Sequence, residues 1–288
     1  MGSGLLCRRD VVLGGGICRT AGVADVRPTA PVRGRVAGGV VRAGGVARKP
    51  RGMEGTRIPE CESMTTSDRH RLRRLPAVLF DMDGTLLDSI ELIIEGAVYA
   101  FDGREGPRPT RAEWKALIGT PLDAMLAHWA TNADDASFLK ARYRQFQMDN
   151  HDRLVTLYPG VEETLRELHE RGHPLAIVSS KLDAGIRRSM DFYKLTSLFD
   201  AIVGIDHTAR HKPDPEPVIY ALSQLQVSPR QAWFVGDSPH DIEAGRDAGV
   251  NTVAVPWGAY TKEEIEPAGP TYWIERMDEL PGLLAAIG

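Results

Sequence analysis

Asp81 and Asp83 stand two residues apart at the end of the apolar run Ala77-Val-Leu-Phe80, with Gly84 and Thr85 directly after them. Side chains alternate faces along a strand, so carboxylates spaced i, i+2 leave its end on the same side. Like charges so placed repel unless a cation or a shared proton lies between them. Gly84 allows the backbone to turn back at that point. Two acids and a permissive turn at a strand tip suit a hard divalent metal and a phosphate group. An Asp-Gly turn after a buried strand also occurs without any chemistry, so later segments must decide between the two.

Three such segments follow. Leu175-Ala-Ile-Val-Ser179-Ser180 is a second apolar strand, ending in hydroxyls that suit either a phosphate oxygen or the cap of the next helix. His211-Lys212-Pro213-Asp214-Pro215 holds a lysine on a backbone stiffened by prolines, fit to neutralise an anion if it is not simply solvated. Ala232-Trp-Phe-Val-Gly236-Asp237 is a third strand ending in an acid, with Asp241 one helical turn beyond. Asp237 serves equally well there as a metal ligand or as a helix N-cap.

In this order and at these intervals, Asp81-Met-Asp83-Gly84-Thr85, Ser179, Lys212 and Gly236-Asp237-Ser238-Pro239-His240-Asp241 resemble the four motifs of the haloacid dehalogenase superfamily. The resemblance covers about residues 76–288. It implies an α/β fold: a Rossmann-like parallel sheet with the active site at the strand carboxyl ends, where open α/β sheets place ligands on general grounds. It also implies a small helical cap inserted after the first strand, at about residues 91–157.

The resemblance further implies roles. Asp81 attacks phosphorus and forms an aspartyl-phosphate. Asp83 protonates the leaving oxygen and then activates water. Mg2+ is held by the carboxylates of Asp81 and Asp237 and the backbone carbonyl of Asp83, with Asp241 an alternate or supporting ligand. Ser179 and the loop at Gly84 and Thr85 hold phosphate oxygens, and Lys212 offsets the accumulated negative charge.

Within the superfamily the region is similar to the phosphoglycolate phosphatase group and its bacterial pyrophosphatase relatives. Ile118-Gly-Thr-Pro121 lies where the cap of that group meets substrate. Tyr143-Arg144-Gln-Phe146 and His151-Asp152 look more like the pyrophosphatases, and Arg144 is a candidate contact for a second anionic group unless it is merely solvated. Ser180 stands where many relatives have Asn. The expected activity is Mg2+-dependent hydrolysis of a small phosphorylated metabolite, phosphoglycolate first. An inorganic pyrophosphatase is the alternative; a sugar phosphomutase or a non-catalytic phosphate-binding protein of the same fold is a weaker one. Dehalogenases of the superfamily lack an acid at the Asp83 position, which disfavours carbon–halogen cleavage.

The intervening elements must position these residues. Ile90, Ile93, Ile94, Ala97, Val98 and Phe101 recur at helical spacing. Further helices are expected around 112–117, 122–130 and 135–149, with no strand between Asp88 and Tyr158. Beyond that point helix and strand alternate: helices from Val161, over 183–193, 216–225, 239–248 and near 277–287, and strands at 175–179, 201–203, 232–236 and 252–255. Strands apolar throughout and separated by helices argue for a parallel sheet covered on both faces.

With 288 residues, 42% of them hydrophobic and 26% charged, the chain can bury a substantial core. No apolar run approaches a membrane span, so no membrane partner is expected. Charge is uneven: residues 1–75 carry 15 Lys/Arg against 6 Asp/Glu, the remainder 20 against 33. That leader is Gly- and Arg-rich without helix or strand period and reads as disordered, with Met53 or Met64 the expected natural start. The run Arg69–Arg74 admits a nucleic-acid tail, but nucleic acid is not the expected partner. Without a secretory signal pattern, the expected location is the cytoplasm. Cys7, Cys18 and Cys61 all lie in the leader, which excludes disulfides and thiol catalysis from the remainder. The sequence specifies no oligomeric state.

Overall fold

The computed structural model describes residues 75–287. Leu75 apart, the basic leader lies outside the described residues, with its cysteines, Met53, Met64 and the arginine run. In chain order the elements are β1 (Ala77–Phe80), β2 (Leu87–Asp88), α1 (Ile90–Phe101), α2 (Arg111–Lys115), α3 (Leu122–Ala127), α4 (Ala133–Leu154) and β3 (Thr156–Leu157). There follow α5 (Val161–Arg171), β4 (Leu175–Val178), α6 (Asp183–Phe192), β5 (Ala201–Val203), α7 (Glu216–Leu225), β6 (Ala232–Gly236) and α8 (Pro239–Ala248). The chain closes with β7 (Asn251–Ala254), α9 (Lys262–Ile265), β8 (Tyr272–Trp273) and α10 (Leu280–Ile287).

Six strands form one parallel sheet in the order β5-β4-β1-β6-β7-β8. From β1 the chain winds outward through β4 and β5, then crosses to build β6, β7 and β8 on the other side. The tips of β1 and its neighbours therefore flank the reversal of strand order, where a crevice opens. Alternation divides β1 between two cores. Val78 and Phe80 pack with Val161 and Leu165 of α5, Ile186 of α6 and Leu284 of α10. Ala77 and Leu79 pack with Val218 and Leu222 of α7 and Ala244 of α8. Helices thus cover both faces, and every residue of β1, β4 and β6 is buried.

Helices α1–α4 carry a core of their own, built from Ile93, Phe101, Trp114, Met125, Leu139 and Tyr143. Gly96 lets α1 approach the Tyr143 ring of α4, where an added Cβ would sit 3.0 Å from Cε2. Thr110 and Glu113 form a capping box at the start of α2, and the Asn132 side chain caps α4.

Two short strands depart from the sequence expectation. Thr156–Leu157 lies in the stretch expected to be free of strand, yet it pairs antiparallel with Leu87–Asp88, so the helical insertion begins and ends at one two-stranded neck. Tyr272–Trp273 adds the sixth strand beside β7. Two residues carry no readable alternation, and their partners are far away in sequence. Helix α4 also outruns its expected 135–149, because Asn132 opens it early and His151 anchors its last turn through Nε2 to Ser189 Oγ (2.7 Å).

Candidate active site

Four segments bring their polar residues to the carboxyl edge of the sheet. Asp81 follows β1 directly, its amide donating to the Val235 carbonyl of β6 (2.9 Å). Asp237 follows β6, and Asp241 sits in the first turn of α8. Lys212 arrives from the loop before α7, where the Asp214 amide closes a turn on the His211 carbonyl (2.9 Å) and the Asp214 side chain accepts from the Glu216 amide (2.9 Å). Lys212 Nζ donates to Asp81 Oδ1 (2.7 Å), Asp241 Oδ1 (2.6 Å) and the Val178 carbonyl (3.2 Å). One oxygen from each of Asp81, Asp237 and Asp241 lies within 4.8 Å of the other two. All four side chains are buried.

Asp237 is not the helix cap. Ser238 fills that role: its Oγ and amide donate to Asp241 Oδ2 (2.6 and 3.1 Å), and the Asp241 amide returns a bond to Ser238 Oγ (3.3 Å). The cap box thereby orients Asp241 Oδ1 toward Lys212. Asp237 is held at both oxygens, by Thr85 Oγ1 on Oδ1 (2.9 Å) and by the Ala259 amide on Oδ2 (2.8 Å).

The cluster is short of positive charge. Burial is the chief reason the Asp81 carboxyl is pushed well above its ordinary range; Lys212 pulls the other way, and Asp241 and Asp237 add to the rise. Asp237 is also raised, by burial and then by Asp241. Burial alone would lower Lys212, but Asp241 and Asp81 more than reverse it and hold the ammonium firmly protonated. One ammonium faces three buried carboxylates, and the missing charge has the sign and size of a divalent cation. Hard oxygen donors converging on a space of that size fit such an ion.

Two glycines guard that space. A Cβ on Gly84 (φ +92°) or on Gly258 would overlap the Asp237 carboxylate. Gly84 also needs its left-handed backbone; Gly258 is required by space alone. Gly258→Ala is therefore expected to displace Asp237 and weaken divalent-metal affinity about tenfold or more, with about 1–3 kcal/mol of lost stability from overpacking. Metal titration by calorimetry checks this, and an unchanged affinity would show Gly258 to be incidental.

Asp83 takes a separate course. Strand β1 stops at Phe80, and the chain turns through Met82, whose carbonyl accepts from the Leu86 and Leu87 amides (both 2.9 Å). The two carboxylates thus do not share one cation as simple alternation suggests. Asp83 Oδ1 accepts from Ser89 Oγ (2.6 Å) and Lys181 Nζ (2.8 Å), and its carboxylate lies outside the acidic cluster. Ser179 is buried at the tip of β4, its Oγ accepting from the Lys181 amide (3.2 Å). Ser180 Oγ turns to the helical insertion and donates to the Gly119 carbonyl (2.6 Å). Arg144 is exposed on α4, and no hydrogen bond or ion pair among the described residues brings it to the cluster.

Residues not singled out from sequence complete the surroundings. Lys181, which reaches Asp83, is one of them. The Tyr260 hydroxyl donates to the Ala116 and Ile118 carbonyls (2.8 and 3.0 Å), tying the same insertion loop that Ser180 holds. Burial, with Asp237 nearby, pushes that phenol up to about 12, so it remains a donor. Trp257 Nε1 donates to the Thr85 carbonyl (3.2 Å). A tryptophan, a glycine and a tyrosine in the 257–260 loop had no motif to mark them; their roles arise from its passage over Asp237.

A wound parallel sheet with three buried acids and a lysine gathered at its carboxyl edge defines an α/β protein with an acidic, metal-sized site at the strand ends. The model of the family described as haloacid dehalogenase-like hydrolase matches residues 78–255, and the chain belongs to that family. Among curated relatives, pyrophosphatase PpaX of Bacillus velezensis is 37% identical over 208 residues, 72% of this chain and 95% of that protein. Pyrophosphatase PpaX of Bacillus mycoides is 35% identical over 217 residues, 74% of this chain and 99% of that protein. Among solved structures, a haloacid dehalogenase-like family hydrolase from Streptococcus pneumoniae matches with TM-score 0.64 and 25% identity, covering 73% of this chain and 98% of its own. A "predicted phosphoglycolate phosphatase" from Haemophilus somnus matches with TM-score 0.68 and 24% identity, over 74% of this chain and 99% of its own. The protein is a phosphatase of this family. No helix among the described residues is long and apolar enough to cross a membrane.

Proposed function

We propose that the protein is a Mg2+-dependent hydrolase of small phosphorylated metabolites that works through phosphorylated Asp81, with inorganic pyrophosphate as its preferred substrate. The observation that carries this reading is the meeting of Asp81, Asp237 and Asp241 within 4.8 Å, with Lys212 as their single ammonium. Bound by Asp81, Asp237 and the Asp83 carbonyl, Mg2+ would neutralise charge on the phosphoryl oxygens as a Lewis acid.

The residues of the chain divide the remaining work. Lys212 fixes Asp81 by Oδ1, leaving Oδ2 without a hydrogen bond among the described residues and free to attack phosphorus. As the Asp81–phosphorus bond forms, the bond to the leaving oxygen breaks, and Asp83 delivers a proton to that oxygen. In the second half Asp83 takes a proton from an attacking water, and the Asp81–phosphorus bond breaks to release phosphate. Acid–base help of this kind contributes roughly 10²- to 10⁴-fold. Ser179 Oγ supplies a donor to the phosphoryl oxygens. The expected contacts from Gly84 and Thr85 do not form, because their amides are committed to the Leu87 and Met82 carbonyls (2.8 and 3.3 Å) and the Thr85 hydroxyl to Asp237.

Pyrophosphate is preferred over phosphoglycolate because the relatives at 34–37% identity are named pyrophosphatases. The phosphoglycolate phosphatase likeness comes from a structure at 24% identity, which speaks for the fold. The test compares kcat/KM for pyrophosphate, phosphoglycolate, a hexose phosphate and p-nitrophenyl phosphate, with Mg2+ and with excess EDTA. Pyrophosphate is expected to lead by about tenfold or more, and EDTA to remove activity by at least about 100-fold. Undiminished turnover in EDTA would remove the metal from the reading. A leading phosphoglycolate would overturn the substrate, and no hydrolysis of any donor would overturn the function.

A further inference from the structure

The geometry points to Lys181 as a positioning residue for the acid–base group Asp83, an inference that rests on the acid–base role just proposed. Lys181 is delivered with unusual care for a residue at the rim of a site. Its amide is held by Ser179 Oγ (3.2 Å), and its carbonyl accepts from the Ile205 amide (2.9 Å). Its stem runs along the first turn of α6, across Gly185, where an added Cβ would lie 3.2 Å from Lys181 Cγ and Cδ. The ammonium then reaches Asp83 Oδ1 at 2.8 Å, joining Ser89 Oγ on the same atom.

Two donors on one carboxylate oxygen fix the plane of the group and leave the other oxygen free. Asp83 Oδ2 accepts nothing among the described residues, so it is the atom left to carry a proton to and from the reacting oxygens. The arrangement repeats that of Asp81, which Lys212 holds by Oδ1 alone. The two lysines differ in setting. Lys212 is enclosed, its side chain 2% exposed, whereas Lys181 is 23% exposed. Removing Lys181 leaves the Asp83 carboxylate, 14% exposed, with Ser89 Oγ as its remaining donor, so the expected cost to the fold is smaller than for the enclosed Lys212. What is lost is orientation, and a misplacement of about 1 Å at a reacting group costs on the order of 100-fold in rate.

The test uses three phosphoryl donors: 2,4-dinitrophenyl phosphate, whose leaving group needs no proton; glycerol phosphate, whose leaving group needs one and adds no second anion there; and pyrophosphate, whose leaving group is itself anionic. The parameter is kcat/KM, which reports phosphoryl transfer to Asp81. Lys181→Met is expected to lose about 10- to 100-fold on glycerol phosphate and pyrophosphate alike, and at least about tenfold less on the dinitrophenyl ester. Lys181→Arg should recover much of the loss, with melting temperatures matching the parent. Loss confined to pyrophosphate would mean that Lys181 reads the second anion instead, and equal loss on all three donors would make its role merely structural; either overturns the inference. Asp83→Asn separates the two levels. If it shows the leaving-group pattern and Lys181→Met does not, only the role of Lys181 falls. If Asp83→Asn lacks the pattern, the acid–base reading falls first.

Discussion

Asp81→Asn is expected to lower kcat by roughly 10⁴-fold or more while leaving the protein as stable as before, or more so. The loss follows from chemistry: an amide oxygen cannot serve as the nucleophile, and no other carboxylate can replace it. Asp237 is committed at both oxygens to Thr85 and Ala259, and Asp241 to Lys212 and Ser238. The retained stability follows from electrostatics. A carboxyl whose pKa is raised on folding contributes instability once the pH exceeds its unfolded value, because the folded state resists its charge. Asn at this position removes that charge and still offers Oδ1 to Lys212 Nζ. Steady-state kinetics and thermal unfolding in metal-free buffer check both halves. Substantial residual turnover would exclude a covalent route through Asp81, and a large drop in melting temperature would mean that the cluster is not overcharged.

Lys212→Met should have the opposite stability signature. Lys212 is the single ammonium among three buried carboxylates, so its removal leaves like charges facing one another out of water. Breaking a buried ion pair from one side costs about 3–5 kcal/mol, which for a folded region of this size is a fall in melting temperature on the order of 10 °C. Saturating Mg2+ is expected to restore much of that stability, since the ion brings positive charge to the same carboxylates. Activity should stay at least about 100-fold down, because Asp81 loses the partner that orients it. Equal stability of the variant with and without Mg2+ would contradict a shared site for lysine and metal.

The reach of the sequence follows from the length and locality of each signal. Four- and five-residue apolar strands ending in Asp81, Ser179 and Asp237 are read directly, because type and position coincide at one spot in the chain. Lys212 is read from its prolines and its place between strands. Gly258 is not, since the demand for it comes from Asp237, which precedes it by a helix and a strand. Lys181 looks like an ordinary residue before a helix until Gly185 and Asp83 are seen around its stem and tip. Strands β3 and β8 are too short to carry a period. Arg144 stands out in the sequence only as a cation in the pyrophosphatase-like stretch Tyr143-Arg144-Gln-Phe146, and adjacent residues of a helix face different ways: Tyr143 is buried in the core of the helical insertion and Arg144 is exposed.

The clasp between the insertion loop and the sheet layer has an evolutionary corollary. Ser180 and Tyr260 grip Gly119, Ala116 and Ile118 through main-chain oxygens. Every amino acid presents that atom, so the side chains at 116 and 117 can be exchanged with the grip intact, whereas Gly119 (φ +98°) and the buried Ile118 are held by backbone conformation and packing. Such a loop can change the chemistry it shows at its outer positions while its seat stays put. New substrate preferences are then open to descendants of this chain without any rebuilding of the machinery beneath.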